Sequence, residues 1–566
     1  MSISLIKKMK EQIIEIIKSS LLKAYESNLL PQIELPEQIF IEVPKEKANG
    51  DFSTNIAMQL ARAAKMPPRQ IADYIVSNSD VDGTHIKEIK TAGAGFINFY
   101  LDREWIYEVF PVIVQEGENY GKSNYAKGQK VMVEFVSANP TGPLHMGNAR
   151  GGALGDCIAA VLEAVGCDVT REFYVNDAGN QIELLGQSLE ARYIQLLKGE
   201  DAVIFPEKGY QGEDIIEHMK AFIAINGDKY IESPSDERKK VFAEYALKKN
   251  LDRIKNGLSS YGVEFDVWFS EKTLYDGGQV KETIDLIAKN GHTYEKEGAI
   301  WFKAGDFGLD KDDVLVRANG IPTYFAADIA YHRNKFLVRK FDRVINLWGA
   351  DHHGHVARMK AGISACGINS EKLDVVLFQL VRLLRNGEVA RMSKRKGTVI
   401  SVEDLIEEVG RDVARFFFNN KQAETHLDFD LDLAVSQSNE NPVFYVQYAH
   451  ARICSIIRIL EEEGIKVPKV SEINTALLSA TEEVELARKL ADLPEEIIIA
   501  ARDLEPSRLT RYVVELASLF HSFYNVHRIK GEKEDILKAR LVLIDCVRIV
   551  IRNVLGMLKI STPEKM

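Results

Sequence analysis

The stretch VMVEFVSANPTGPLHMGNARG, residues 131–151, opens as a buried strand and passes through a tight turn into a helix crowded with small residues from Ala149 to Gly155. Gly142, Pro143 and Gly147 force that passage into few residues, and the N-terminus of the helix offers unpaired N–H groups to an anion. His145 and Asn148 sit on the turn as side-chain donors, while Gly147, lacking a Cβ, lets a flat base approach the backbone. A turn of this kind taken alone also suits a plain core with an incidental histidine, because short Gly/His motifs recur by chance.

Outward from this turn, strand and helix alternate. TREFYV is followed by a long helix after Asp177, then VLVRA by a helix opening at Pro322, RVINLWG by a helix through Met359, and finally VVLFQLV. Such alternation predicts a parallel, doubly wound sheet whose ligands lie beyond the carboxyl ends of the strands. Residues 1–115 read as a separate α+β unit: an amphipathic helix, the apolar stretch IFIEV, a helix through Met58 to Ala64 stopped by Pro67-Pro68, and the closing strand GFINFYL. EGENYGKSNYAKGQK, polar with three glycines, reads as a linker. Residues 116–435 then form the α/β unit, and residues 436–566, helical in period, an all-helical bundle.

The chain of 566 residues, 46% hydrophobic and 27% charged, has room for several cores. Its 72 basic against 83 acidic residues give a net charge of −11, which excludes a uniformly basic nucleic-acid coat and confines any polyanion to local patches. The charged, amphipathic N-terminus is not the uninterrupted apolar stretch of a secretory signal, and no apolar run reaches membrane-spanning length. Five scattered cysteines (Cys157, Cys167, Cys366, Cys454, Cys546), none in a CxxC, fit buried thiols in a reducing cytoplasm.

One basic cluster stands out. Arg382, Arg385, Arg391, Lys394, Arg395 and Lys396 face a single acid, Glu388, around Arg391-Met392-Ser393-Lys394-Arg395-Lys396-Gly397. A short, glycine-ended basic loop suits a polyphosphate, whose leaving group needs cations as charge develops. A lone basic run is also an ordinary solvated loop.

Together the two motifs resemble those of the class I aminoacyl-tRNA synthetases. HMGN stands where that class has HIGH, with Asn148 replacing the last histidine, and RMSKR where it has KMSKS, with Arg391 replacing the first lysine. Donor capacity and charge are kept at both, although Arg391 brings a planar fork in place of an ammonium. EFVSANPTGPLHMGNARG, FYVNDAGNQI, IPTYFAADIAYH, WGADHHGH and YVQYAHARI, in that order, together with an N-terminal appendage closing on GAGFINFYL, are similar to the arginyl-tRNA synthetases over nearly the whole chain.

The resemblance implies a Rossmann-like catalytic core, an N-terminal tRNA-binding domain and a C-terminal anticodon-binding bundle. It also implies arginine activation by ATP with Mg²⁺, followed by transfer to the terminal ribose of tRNA. Neither step needs a protein nucleophile, so alignment and charge stabilisation carry the chemistry. His145, Asn148 and Lys394 are then the catalytic candidates. Pro143, Gly147, Gly349, Asp351, Met392, Ser393 and Arg395 join them around ATP. A guanidinium needs carboxylates and acceptors in fork geometry. Tyr324 and Asp328, four apart on one helix face, suit it, and Glu134, Ser137, Asn139, His145 and Asp351 complete the arginine set, Asn139 toward the α-amino group. If the strand from Glu134 continued, Ser137 and Asn139 would lie on the opposite face. Gly349 and Asp351 are shared between the ATP ribose and the amino acid without a choice between them.

For tRNA, Tyr445, Tyr448 and Arg452, with Phe520 and Tyr524 on a later helix, suit stacking on unpaired bases, and Phe96 and Asn98 suit the outer corner. The three histidines of Asp351-His352-His353-Gly354-His355 come without HExxH or a cysteine pair, so no bound zinc is expected. The 249 positions between His145 and Lys394 leave no evident space for a hydrolytic domain. Editing is unnecessary where a site pairs several guanidinium donors, since lysine is then rejected by on the order of 10⁴. A cytoplasmic monomer with no membrane contact is expected. Another class I synthetase is disfavoured by the Tyr324/Asp328 pair, and a catalytically silent RNA-binding relative by the retained donors of both motifs.

Overall fold

The computed structural model describes residues 5–390 and 400–566. Its N-terminal unit comprises α1 (Leu5–Glu26), β1 (Phe52–Thr54), α2 (Ile56–Ala64), α3 (Pro68–Ser77), β2 (Ile86–Ala92) and β3 (Phe96–Leu101). The strands form an antiparallel sheet in the order β1-β3-β2. Ile6, Met9, Ile13, Ile17, Leu21 and Ala24 make one buried stripe of α1. Two local readings are corrected. IFIEV contributes only a single bridge, Glu42 to Ser53, and no strand. Lys65, left-handed at φ 53°, ends α2, whereas Pro68 starts α3, the one helical position where a missing N–H costs nothing.

The central unit contains β4 (Lys130–Glu134), α4 (Met146–Ala164), β5 (Asp168–Val175), α5 (Asn180–Lys198), α6 (Glu213–Asn226), α7 (Ser235–Ser260) and β6 (Val267–Ser270). There follow α8 (Gln279–Lys289), β7 (Thr293–Lys296), β8 (Ala299–Phe302), β9 (Asp313–Val316), α9 (Tyr324–Arg333), β10 (Arg343–Gly349), α10 (His353–Ala365) and β11 (Leu373–Phe378). The main sheet is parallel throughout, in the order β11-β10-β4-β5-β6. The order reverses at β4, which has β10 on one side and β5 on the other, so the crevice beyond β4 and β10 is the topological switch point. VLVRA is corrected here: its strand, β9, pairs antiparallel with β8 in a separate three-stranded sheet.

α4 lies against the end of β4 because Gly155 has no side chain. A Cβ there would meet Phe135 Cγ at 2.2 Å. The polar stretch read as a linker is held at several points rather than free. Ser123 N donates to Ala164 O (2.7 Å), Gly128 N to Gly166 O (2.8 Å), and the buried Tyr120 hydroxyl to Leu490 O (2.8 Å).

After β11 come β12 (Val381–Arg385), β13 (Glu388–Val389), α11 (Val402–Val409), α12 (Arg411–Asn419) and β14 (Leu427–Asp430). The chain ends in a helical bundle of α13 (Pro442–Glu462), α14 (Thr481–Asp503), α15 (Ser507–Val526) and α16 (Glu534–Met557). A fully buried pair fastens this end to the catalytic helix: Arg415 on α12 donates to Asp156 on α4 at 2.6 Å and to Leu558 O at 2.9 Å. Among the described residues no helix is long and apolar enough to cross a membrane.

Candidate active site

The turn that opened the sequence reading caps α4. His145 is extended, at φ −110° and ψ 178°, and its Nδ1 accepts from Gly147 N at 3.1 Å. Asn148 Oδ1 accepts in return from His145 N at 3.0 Å, closing a capping box. With Nδ1 an acceptor, the ring proton belongs on Nε2, and burial holds the imidazole pKa below its ordinary value. The turn therefore presents a neutral Nε2–H donor and the free amide of Asn148 to the crevice. A Cβ at Gly147 would lie 3.0 Å from His145 Cε1, so this position is tight as well as open to a base. Pro143 is exposed on the same loop.

Two further contacts bind this turn to the far side of the basic loop. His145 bridges to Ser401, and Val402 N donates to Leu144 O at 3.0 Å. Ser401 caps α11 through Asp404. The calls on Met392, Ser393, Lys394 and Arg395 fall outside the described residues, but the chain on the C-terminal side of that segment is anchored on the histidine turn.

The residues that follow β4 continue the crevice. β4 stops at Glu134, and Val136 (φ 66°) and Ser137 (φ 40°) are left-handed, so alternation breaks there. As a result Ser137 Oγ turns back to donate to Glu134 Oε1 at 3.0 Å instead of facing away. Asn139 is exposed and accepts from Asn176 Nδ2 at 3.1 Å. Glu134 is buried, and its second carboxylate oxygen is ion-paired with Lys335 Nζ at 2.5 Å.

Tyr324 opens α9, with Thr323 as N-cap, and its hydroxyl accepts from Asn180 N at 3.3 Å. Gly179 is glycine where it passes this ring: its φ is +81°, and a Cβ would lie 3.3 Å from the hydroxyl. Asp328, one turn later, lies 3.2 Å from His355 Nε2. Sequence reasoning missed Glu271, just past β6. Its buried carboxyl is pushed up to about 7 by burial and by the nearby charges of Asp328 and Asp177. Tyr275 is pushed up to about 12 by burial and by Glu271 and Asp328. Glu271, Asp328, Tyr275 and Tyr324 are thus electrostatic neighbours, two carboxyls and two phenols, with His355 beside Asp328 and Arg317 acting on Tyr275. The rule that ligands gather at strand carboxyl ends, applied to β6, would have found Glu271.

Gly349 ends β10, where a Cβ would strike Asp351 Oδ1 at 2.5 Å. The Asp351 side chain is 80% exposed, 3.6 Å from His352 Nε2. His355 alone of the three histidines turns inward, against Trp348 (ring centroids 5.4 Å) and Asp328. Among the described residues no group of three or more His, Cys, Asp or Glu could hold a metal ion.

In the bundle, the Arg452 guanidinium lies between the rings of Tyr448 (4.8 Å) and Tyr524 (4.5 Å), and His521 packs on Tyr445 (4.6 Å). Tyr445, Tyr448, Arg452 and His521 border a recess of about 500 Å³ that also meets Asn439 and Asn525. Phe520 is a correction: it is 0% exposed, packed inside the bundle, and cannot stack on a base. Asn98 is another, since it is buried and accepts from Ser53 Oγ at 2.8 Å, leaving Phe96 as the exposed member of that strand.

Known families match along the whole chain. Residues 11–101 match the arginyl tRNA synthetase N terminal domain, 109–455 the catalytic domain of tRNA synthetases class I (R), and 446–566 the DALR anticodon binding domain. An arginine--tRNA ligase of Acetivibrio thermocellus is 63% identical over 563 residues, covering 100% of both chains. One from Ruminiclostridium cellulolyticum is 65% identical over 557 residues, covering 98% of this chain and 99% of its own. In fold, the arginyl-tRNA synthetase of Thermus thermophilus matches with a TM-score of 0.72 at 21% identity, over 98% of this chain and 100% of its own. With a class I catalytic domain around the His145 turn, a parallel sheet, and full-length identity of this order, the chain belongs to the arginyl-tRNA synthetase family.

Proposed function

We propose that this chain is an arginine–tRNA ligase working at the β4/β10 crevice. It joins the carboxylate of L-arginine to the α-phosphorus of ATP, releasing pyrophosphate, and then passes the arginyl group to a terminal ribose hydroxyl of tRNA. The observation that supports the reading is a pair of neighbouring carboxyls, Glu271 past β6 and Asp328 on α9, whose repulsion adds to burial in raising the Glu271 carboxyl, in a chain that also carries the capped His145–Asn148 turn. A guanidinium supplies positive charge and five donors to such a pair, and Tyr324 and Tyr275 supply flat walls.

The division of labour follows from the geometry. Neutral His145 donates from Nε2 and Asn148 from its amide to phosphate oxygens, where a charged imidazolium would bind ground state and transition state alike. Pro143, Gly147 and Gly349 leave space for the nucleotide, Asn139 and Ser137 take the α-amino end, and Asp351 reaches the rim shared by ribose and amino acid. Lys394, with Met392, Ser393 and Arg395, is assigned from its motif to the pyrophosphate end of ATP. Mg²⁺ arrives with ATP as part of the substrate.

Transfer to tRNA uses local surfaces, as the acidic composition requires. Tyr445, Tyr448, Arg452 and Tyr524 receive unpaired anticodon bases, and Phe96 meets the outer corner. The enzyme acts as a cytoplasmic monomer. Charging of tRNA with radiolabelled arginine tests the reading. Label that becomes acid-precipitable with arginine, and is lost when arginine is replaced by lysine, supports it, whereas no charging by either contradicts it.

A further inference from the structure

Three buried polar residues line up across the main sheet. Asn346 on β10, Glu134 on β4 and Glu172 on β5 are register partners on adjacent strands. Each is almost fully buried, at 0%, 7% and 0% exposure, where uncompensated polar groups are costly. The segment that covers them leaves α9 through a π-helical turn, Asn334–Val338, a rare geometry often found at functional sites. That turn buries Lys335 completely. Its ammonium meets Glu134 Oε2, Asn346 Oδ1 (3.1 Å) and the face of Tyr331 (4.1 Å). Glu172 is held separately by Tyr331 and Arg339. His332 spans Asn346 (2.7 Å) and the carbonyl of Asp328 (2.8 Å), which ties the same network to the guanidinium pocket.

Beyond Glu134 the backbone is strained. Ser137 N donates to Phe135 O at 2.9 Å, closing a three-residue turn around Val136 at φ 66°. This is the rare γ-turn hand, and a β-branched residue is unfavourable in it, so surrounding contacts must hold it. One side-chain tie is visible: Ser137 Oγ donates to Glu134 Oε1 and accepts from Tyr174 N at 3.1 Å. The turn delivers Asn139 to the crevice two residues later.

We propose that Lys335 is a positioning residue for amino-acid recognition, pinning Glu134 so that Glu134 and Ser137 hold the strained Val136 turn and aim Asn139 at the substrate. The inference deepens the arginine reading and rests on it. Lys335 has no access to the crevice and touches no substrate; it acts through Glu134. Methionine matches the length of lysine without its charge, so Lys335→Met removes the pin and leaves the volume filled.

The test is arginine-dependent ATP–pyrophosphate exchange with tRNA present, comparing wild type, Lys335→Met, Glu134→Gln and the double variant. Lys335→Met is expected to raise KM for arginine by about tenfold or more and to leave KM for ATP within about twofold. Because both residues act along one chain of contacts, adding Lys335→Met to Glu134→Gln should change KM for arginine little. Should Lys335→Met fail to fold around its stranded carboxylate, that last comparison still decides, since a Gln–Met pair strands no charge. Equal rises in both KM values, an unchanged arginine KM, or effects that multiply in the double variant would each overturn the proposal. A wild type that exchanges with another amino acid but not arginine would overturn the arginine reading itself, a result no Lys335 variant can produce.

Discussion

His355 Nε2 lies 3.2 Å from the carboxylate of Asp328, although the two residues belong to different helices. His355 is therefore placed to orient the carboxylate that the arginine reading assigns to the guanidinium. Asp328→Asn removes one charge from the guanidinium site and should raise KM for arginine roughly 10- to 100-fold, the range for a hydrogen bond to a charged group, with little change in KM for ATP. Steady-state exchange kinetics check this, and an equal rise for both substrates would place Asp328 outside the arginine pocket.

Glu271 predicts a pH dependence. Its carboxyl is raised to about 7, so near neutrality it is only partly ionised, and a guanidinium binds the ionised form. KM for arginine should fall as pH rises from about 6 to 8, and arginine binding should release a proton near pH 7. In the ligand-free protein the sign is the reverse. The native state holds this proton more tightly than the unfolded chain, so the stability it contributes is full below about 4.5 and is lost as pH climbs from there through about 7, the range over which melts are recorded. Glu271→Gln should flatten both trends, measured by exchange kinetics and by thermal melts across that pH window.

Lys394 is assigned from its motif, and among the described residues Ser401, a few positions later, bridges to His145. Lys394→Ala should raise the activation barrier by roughly 3 kcal/mol, the cost of losing one preorganised donor, with a much smaller change in KM for arginine. An unaltered exchange rate would refute the assignment.

The Arg415–Asp156 pair predicts a stability effect remote from the substrates. Both side chains are fully buried, and Arg415 also satisfies Leu558 O. Arg415→Ala leaves Asp156 on α4 with Arg171 and Lys559 as its remaining cations but removes its shortest contact and leaves Leu558 O without its guanidinium donor, and should cost on the order of 1–3 kcal/mol, read as a lowered Tm.

For tRNA, Arg452→Ala should weaken charging through KM for tRNA while leaving arginine kinetics unchanged, because Arg452 stacks between Tyr448 and Tyr524 in a recess of the bundle rather than in the crevice. A parallel loss in arginine binding would mean that the recess is structural.

The sequence made the crevice legible because its two strand exits carry dense, ordered signals: glycines and a proline beside His145 and Asn148, and Gly349 with Asp351. Glu271 and His355 were not legible in the same way. Glu271 follows a four-residue strand with no periodic pattern, and His355 sits among other histidines whose orientation only the packing of α10 decides. Lys335 was hidden more deeply, since nothing local announces that a lysine will enter a π-helical turn and meet a carboxylate 201 positions earlier in the chain. Phe520 and Asn98 failed in the opposite direction. Helical spacing and strand alternation place residues on a face, but whether that face meets solvent or a neighbouring element is set by tertiary packing.

ATP–pyrophosphate exchange across the twenty amino acids, with tRNA present, tests the central claim most directly. The account predicts exchange with arginine, and with lysine lower by on the order of 10⁴, because an ammonium leaves fork acceptors unpaired. Exchange of similar size with lysine, or exchange driven by a neutral amino acid, would contradict it.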